Sequence, residues 1–469
     1  MFFEGHWFCS LPLLKLLSVV ILGRLFVHLG QAPQSLRLFF LLNLPWMYIT
    51  SMESTLTESK KLHSNCRSCL EGTIKSFLNL GDMHLTGYFP EINIDIPKQP
   101  LNLGKCDSCG LVQLVDRSSI AELYGKEYGY ESNLNESMKT HLQNTARYLE
   151  ERFSLGGNDY ILDIASNDGT LLSGYKNSTK LFGIDPIISY LNDHYPASAI
   201  KVSSFFSKQA IDEYIKNKFK LITSFSVYYD LDDPVQFALD VESVLTDDGV
   251  WILEQSYLPS MINTLGFDTI CHEHLLYLTL TDLDNIFKKS GLKIFDVKIN
   301  EVNGGSFQVY VCKIKNEALT INPYVNWLMD WEKSSNITSF ENCLVFASNV
   351  RKFAFDFRQL LQTYKDNNFH IFGLGASTKG NVLLQYCNLG DLVEEIGEIN
   401  PKKFNKYTPG TKIKIVDETK YLGEANTKML NYLGIILPWH FKNSIKKSAE
   451  KYLNNGGILI APLPFPTII

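Results

Sequence analysis

The chain has 469 residues, enough for several domains, and an ordinary globular composition with 45% hydrophobic and 20% charged residues. Asp and Glu number 50 against 44 Lys and Arg, a formal net charge of −6, so no basic excess is available to grip a nucleic-acid backbone. Nine cysteines are an odd count, and four of them stand in two close pairs, which points to metal ligation in a reducing compartment and not to a disulfide framework.

The first 50 residues do not match the rest. Residues 11–29 are apolar but carry Lys15, Arg24 and His28, which makes a poor bilayer core, and no small-residue cleavage site stands out. Three readings compete: a signal anchor, an interfacial helix, and upstream sequence included by a wrong start. Met52 opens MESTLTESKK in the manner of a cytosolic N-terminus and favours the third. A cytoplasmic protein is therefore expected, with membrane contact only if residues 1–51 are real.

Cys66-Arg67-Ser68-Cys69 and Cys106-Asp107-Ser108-Cys109 are two Cys-x-x-Cys knuckles. Each can place two thiolates on one tetrahedral metal. Together they complete the closed four-cysteine arrangement of structural zinc, with no position left open for substrate. A redox role is the alternative, but it poorly explains two matched knuckles. The spacer must hold structure of its own, with strands expected at 78–81 and 101–103.

Tyr124, Tyr128 and Tyr130 precede Ser132 in a loop that either packs as core or closes over an adenine or a substrate. An amphipathic helix is expected over 136–153. Ile161, Leu162 and Ile164 then make a short apolar run around Asp163, as in a buried parallel strand. The run ends in Ala165-Ser166-Asn167-Asp168-Gly169, and Thr170-Leu171-Leu172 reads as the start of a helix. A second strand at 181–184 stops at Asp185-Pro186. In an open α/β sheet, ligands sit outside the carboxyl ends of the strands, and a carboxylate there accepts both hydroxyls of a ribose. Ala165 and Ser166 stand where a dinucleotide fingerprint has glycines, so an adenosyl ligand without phosphates suits the turn better. The plain alternative is an ordinary βαβ unit with turn-forming Asn, Asp and Gly.

Further along, 219–226 reads as a central strand, with Tyr228-Tyr229-Asp230 at its end. Asp233-Pro234 opens a helix through 245, and 250–254 is the next strand. This order suits a doubly wound α/β sheet of the methyltransferase kind. Phe267 begins the stretch FDTICHEHLLY. The i, i+4 histidines of a zinc-protease helix are absent, so His272-Glu273-His274 suits acid–base work better than metal binding. A polar surface loop is the plain alternative. His272 is expected to point away from the site and to serve structure. Gly304-Gly305-Ser306 leads into a strand at 307–311. Residues 327–364 are helix-rich. FHIFGLG at 369–375 is a strand and glycine turn that matches half of a dinucleotide fingerprint, because Gly373 and Gly375 fit and Gly380 falls too late. Leu437-Pro438-Trp439-His440 and the run at 456–460 suggest further strand ends.

The order of these features resembles that of the S-adenosylmethionine-dependent sugar C-methyltransferases. The matching stretches are the two cysteine knuckles, CGLVQL at 109–114, the tyrosine-serine loop, Ser166-Asn167-Asp168-Gly169-Thr170, FDTICHEH at 267–274 and Gly304-Gly305-Ser306. The resemblance runs from about residue 65 to the C-terminus. It implies an α/β fold: a Rossmann-like class I methyltransferase sheet with an N-terminal four-cysteine zinc domain and a C-terminal Rossmann-like domain. The expected domains are 64–118 for zinc, 119–318 for methyl transfer and 319–469 for substrate, after a doubtful extension at 1–51. The implied cofactors are S-adenosylmethionine and structural zinc on Cys66, Cys69, Cys106 and Cys109. The cofactor is expected on Ser132, Asp163, Ala165, Ser166, Asn167, Asp168, Gly169, Asp185 and Pro186. The implied substrate is a nucleotide-linked keto-deoxysugar or related small molecule, held by Lys379, His440, Gly304, Gly305 and Ser306. His274 is the expected base and Glu273 its orienting partner, with Tyr130 and Asp230 as further catalytic groups. Two positions depart from the family. Cys271 stands where a Tyr is usual, and Tyr229-Asp230 where a His is usual. These departures leave room for an O- or N-methyltransferase, or for an inactive nucleotide-binding scaffold.

Overall fold

The computed structural model describes residues 65–91, 96–116, 130–177, 180–423 and 429–469. The extension at 1–51, Tyr124 and Tyr128 lie outside them. No helix among the described residues is long and apolar enough to cross a membrane.

Strands β1 (Ile74–His84) and β2 (Lys98–Cys106) form an antiparallel pair, and β3 (Val112–Leu114) continues it. The strands expected at 78–81 and 101–103 are the middle parts of these longer ones. Their ends were not legible because β1 alternates irregularly, with register shifts between Ser76 and Leu78 and between Asn79 and Asp82.

The central sheet is built from β4 (Tyr160–Ile164), β5 (Lys180–Ile184), β6 (Ile200–Val202), β7 (Phe219–Phe225) and β8 (Leu245–Ser256). After β9 (Leu276–Tyr277) it is completed by β10 (Leu292–Asn300) and β11 (Ser306–Lys313). The strand order is β10-β11-β8-β7-β4-β5-β6. β4 through β8 run parallel, and β11 is antiparallel to both of its neighbours. The winding reverses between β4 and β7, which opens a crevice at their carboxyl ends. Continuous apolar runs form these strands because both faces of the sheet are covered, and residues 161–164 are all buried.

One expected element is missing. Thr170-Leu171-Leu172 does not open a helix; a single 3-10 turn, Leu172–Gly174, follows the turn at 165–169. The long helix Glu136–Arg152 already occupies this face. A side chain at Gly174 would come within 2.7 Å of the Ala146 side chain, so the chain passes too close for a second full helix.

β9 does not join the central sheet. It pairs with β3 as the fourth strand of the zinc-side sheet, Val112 facing Tyr277 and Gln113 facing Leu276. A third sheet contains β12 (His370–Leu374), β13 (Glu395–Glu398), β14 (Lys414–Asp417), β15 (Tyr432–Ile436), β16 (Ile458–Ala461) and β17 (Thr467–Ile468). Its order is β14-β13-β12-β15-β16-β17, parallel except for the last strand. This is again a doubly wound, Rossmann-like sheet, with its own reversal between β12 and β15. The helix-rich segment between the sheets is two helices, Pro323–Ser335 and Phe340–Asp366. One continuous apolar core reaches from Cys66 to Leu463 and joins all three sheets.

Candidate functional site

The four knuckle cysteines converge, with all four Sγ atoms within 4.8 Å of one another. Cys66 and Cys109 sulfurs are 3.4 Å apart, and those of Cys69 and Cys106 are 3.7 Å apart. Four sulfurs at about 2.3 Å from a tetrahedral zinc would be separated by about 3.8 Å, so the set fits that ion. Backbone N–H groups of Ser68, Gly72 and Cys109 point at Cys66, Cys69 and Cys106 sulfurs, each at 3.4 Å, and favour the thiolate form that a metal needs. Gln113 Nε2 adds a fourth donor, 3.1 Å from Cys66 Sγ.

The turn after β4 is held in an unusual backbone. Ala165 (φ 56°) and Asn167 (φ 49°) are left-handed, and so is Gly169 (φ 87°), where a Cβ would strike the Tyr195 ring at 2.5 Å. Asp185 braces the turn from below. Its Oδ2 accepts the Asn167 N–H at 3.0 Å, and its Oδ1 accepts the Ile187 N–H at 2.9 Å. From above, Ser132 N–H donates to Asn167 Oδ1 at 3.0 Å, Asn133 N–H donates to Asp168 Oδ2 at 2.9 Å, and Asn167 Nδ2 donates to the Tyr130 carbonyl at 3.2 Å. The tyrosine-serine loop thus lies on the turn. Asp163 is buried beside it, with the Thr223 hydroxyl donating at 2.6 Å. Burial raises Asp163 to about 7, with Asp185 and Asp168 adding to the rise.

The His272–His274 segment is a turn and not an extended strand, because His274 N–H donates to the Cys271 carbonyl at 3.2 Å. An extended strand would put His272 on the same face as His274; the turn sends it elsewhere, and its Nε2 donates to the Gln99 carbonyl in β2 at 3.3 Å. His274 Nδ1 donates to the Thr269 carbonyl at 2.8 Å, which leaves Nε2 with the lone pair. Thr269 therefore orients the imidazole, in place of the expected Glu273. No hydrogen bond among the described residues joins Glu273 to His274. Glu273 faces Gly87 instead, where a Cβ would lie 2.3 Å from its Oε1. Glu273 Oε2 is buried without a hydrogen-bond partner among the described residues. The Tyr229 ring packs on the imidazole, centroids 4.1 Å apart.

The third sheet closes the site. Ser377 caps the helix Thr378–Tyr386, and Lys379 in its first turn donates to the Asn303 carbonyl at 2.8 Å. Burial holds the Lys379 ammonium below its usual pKa, with Asp268 opposing. Burial and then the Lys379 cation pull His274 down to about 3, and the same two causes, in that order, hold His440 far below its usual value. Both imidazoles are neutral near pH 7. Lys403 lies over the Phe89 ring at 4.5 Å and donates to the Ala376 carbonyl at 2.8 Å.

These groups line one cavity of about 450 Å³. The crevices of both doubly wound sheets open into it. From the cofactor set it receives Ser132, Asp163, Ala165, Ser166, Asn167, Asp185 and Pro186. Tyr130, Asp230, Glu273 and His274 line it, as do Lys379 and His440. Asp168, Gly169, Gly304, Gly305 and Ser306 do not. Asp168 accepts from Thr170 and Asn133, and Gly304 and Gly305 are pressed against Trp439 and Ser260. The neighbouring Asn303 reaches the cavity in their stead. The sequence reading missed Gly87, Phe89, Phe205, Phe206 and Lys403. For Phe205-Phe206 a signal was present, an aromatic pair just beyond a strand end. The others come from loops of different sheets, and no local pattern marks them.

A doubly wound, mostly parallel sheet extended by an antiparallel hairpin strand is the Rossmann-like fold of the class I S-adenosylmethionine-dependent methyltransferases. Three family models match the chain in order: a zinc binding domain over 66–124, a methyltransferase domain over 113–297 and a C-methyltransferase C-terminal domain over 301–464. The chain belongs to the S-adenosylmethionine-dependent C-methyltransferase family, and it is a methyltransferase with S-adenosylmethionine and zinc as cofactors. The C-methyltransferase NovU of Streptomyces niveus is 25% identical over 374 residues, which is 79% of this chain and 87% of NovU. Among solved structures, a methyltransferase from Clostridium acetobutylicum is 14% identical, covering 37% of this chain and 92% of its own, with a TM-score of 0.30. Magnesium protoporphyrin IX methyltransferase from Synechocystis is 13% identical, covering 41% and 91%, with a TM-score of 0.28.

Proposed function

We propose that this enzyme methylates a carbon next to the ketone of a nucleotide-linked keto-deoxysugar, with His274 as the base. The observation that carries the reading is the shared cavity. A neutral imidazole with its lone pair on Nε2 lines the same cavity as the turn after β4 and the start of helix Thr378–Tyr386. Bound S-adenosylmethionine supplies an electrophilic methyl group on a sulfonium sulfur. Asn167 and Asp185 would hold its adenosyl part, and Asp163 its cationic part.

The protein's remaining task is to make carbon nucleophilic. His274 Nε2 takes the proton α to the ketone, and the C–H electron pair moves onto the carbonyl oxygen as an enolate. An imidazole held near 3 is a weak base by itself. A developing oxyanion beside it stabilises the imidazolium, and the Lys379 ammonium stabilises the oxyanion in turn. Glu273 and the Tyr229–Asp230 wall fix the sugar against the base. Lys379, Lys403 and the N-terminus of helix Thr378–Tyr386 form a cationic end suited to a diphosphate. A soluble nucleotide-sugar fits a cytoplasmic enzyme.

The test is incubation with S-adenosylmethionine carrying a 13C methyl group and a panel of nucleoside-diphosphate 4-keto-6-deoxyhexoses. The expected product gains one methyl, and its 13C resonance couples to a sugar carbon. A methyl group found on oxygen or nitrogen contradicts the reading.

A further inference from the structure

The zinc knuckle touches the cavity through a chain of polar side chains, buried except at the cavity end. Gln113, fully buried in β3, is the first link. Its Nε2 donates to Cys66 Sγ at 3.1 Å, which fixes the orientation of the amide. Its Oε1 is thereby turned toward Arg67, accepting the backbone N–H at 3.1 Å and the guanidinium Nη1 at 3.2 Å. Arg67 Nη1 also donates to the Leu114 carbonyl at 2.5 Å, so the guanidinium has little freedom. Its Nε then reaches Asp232 Oδ1 at 3.4 Å. Asp232 lies on the cavity wall, in the same loop as Asp230 and Tyr229, and the Tyr229 ring packs on His274.

A second path leads to the same imidazole. Gln113 pairs in register with Leu276 in β9, two residues beyond His274. Leu114 N–H donates to the Leu275 carbonyl at 2.9 Å, directly after His274. The other end of the turn is tied by His272 to Gln99 in β2. The sheet that carries the knuckle therefore holds the base's backbone, and Arg67 holds the loop that packs on its ring. Displacements on the order of 1 Å in such groups cost about 100-fold in rate.

We propose that Gln113 and Arg67 are positioning residues for proton transfer, coupling the zinc-bound Cys66 thiolate to the two loops that carry Tyr229 and His274. The coupling rests on the reading of His274 as the base. In it the metal sets the geometry of a distant site while four thiolates keep it closed to substrate.

Two variants test the link. Arg67→Met removes the guanidinium with similar bulk, and Asp232→Asn removes the charge at the cavity end, away from the thiolates. Both are to be compared with wild type for zinc content, calorimetric affinity for S-adenosylhomocysteine, and turnover of a thymidine-diphosphate 4-keto-6-deoxyhexose. The His274 imidazole resonances in 15N-histidine-labelled protein are the fourth readout, assigned with His274→Asn. Both variants are expected to keep zinc and to bind the cofactor product within about twofold of wild type. Turnover should fall at least tenfold for Arg67→Met and severalfold for Asp232→Asn, with a smaller change in KM, and the His274 resonances should move. Arg67→Lys should recover part of the loss. Wild-type turnover and unmoved resonances in zinc-loaded variants overturn the coupling, and so does loss of zinc from both, since the pair then belongs to the metal clasp alone. Failure of the underlying reading is a separate result: His274→Asn would itself turn over at the wild-type rate.

Discussion

Single side chains in this cavity take their protonation from burial before they take it from their neighbours. Asp163, raised to about 7, is the clearest case, because its ionisation falls near neutral pH. Below that value the carboxyl is neutral. Above it a negative charge faces the cofactor crevice and favours a sulfonium cation. S-adenosylmethionine should therefore bind more tightly at pH 8 than at pH 6, by up to about tenfold for one unit of coupling. S-adenosylhomocysteine, whose sulfur is neutral, should respond less, and Asp163→Asn should flatten the difference. Calorimetric titration of both ligands across that range checks this. Gly87 gives a steric counterpart. A methyl group there would lie 2.3 Å from Glu273 Oε1 and 3.6 Å from Thr378 Oγ1, so Gly87→Ala must push the Glu273 carboxyl aside. Turnover should fall roughly 100-fold, as for a 1 Å misplacement, while S-adenosylhomocysteine affinity stays unchanged.

Among the elements, those buried on both faces were the legible ones. β4, β5 and β7 announce themselves as apolar runs ending in turn residues, and the glycine turn after β12 does the same. The turn at 165–169 was legible for the same reason, since its polar residues interrupt an apolar run. β9 was not legible. Leu276 and Tyr277 sit in an apolar stretch, and what makes them a strand is β3, far upstream in the chain. The orientation of His274 was hidden too, because the decisive acceptor is a backbone carbonyl at Thr269 and not the adjacent Glu273 side chain. The zinc knuckle was plain in sequence, but its reach was not. Because β9 belongs to its sheet, Cys66→Ser should do more than lose zinc. Hydrogen exchange at the amides of Leu276 and Tyr277 should accelerate together with exchange in β1 to β3. Unchanged protection at β9 in zinc-free protein would show that the His272–His274 turn stands without the metal.

For the whole molecule, the informative arrangement is two doubly wound sheets with their switch points turned toward one cavity. Each sheet is a Rossmann-like fold, and the cavity is lined by residues from both, with the His274 imidazole on its wall. Trp439 strengthens the junction: its indole N–H donates to the buried Asp268 carboxyl at 2.8 Å, next to the Thr269 that orients His274. The contact made by the third sheet and the orientation of His274, the proposed base, thus meet at adjacent residues. Exchange of the substrate's α proton with heavy water, followed by NMR on a thymidine-diphosphate 4-keto-6-deoxyhexose with S-adenosylhomocysteine filling the cofactor crevice, isolates this step from methyl transfer. Wild-type enzyme should exchange the proton, and His274→Asn, binding S-adenosylhomocysteine as tightly, should exchange it on the order of 10²–10⁴ times more slowly. Exchange by His274→Asn at the wild-type rate would contradict the account and move the base to another group on the cavity wall.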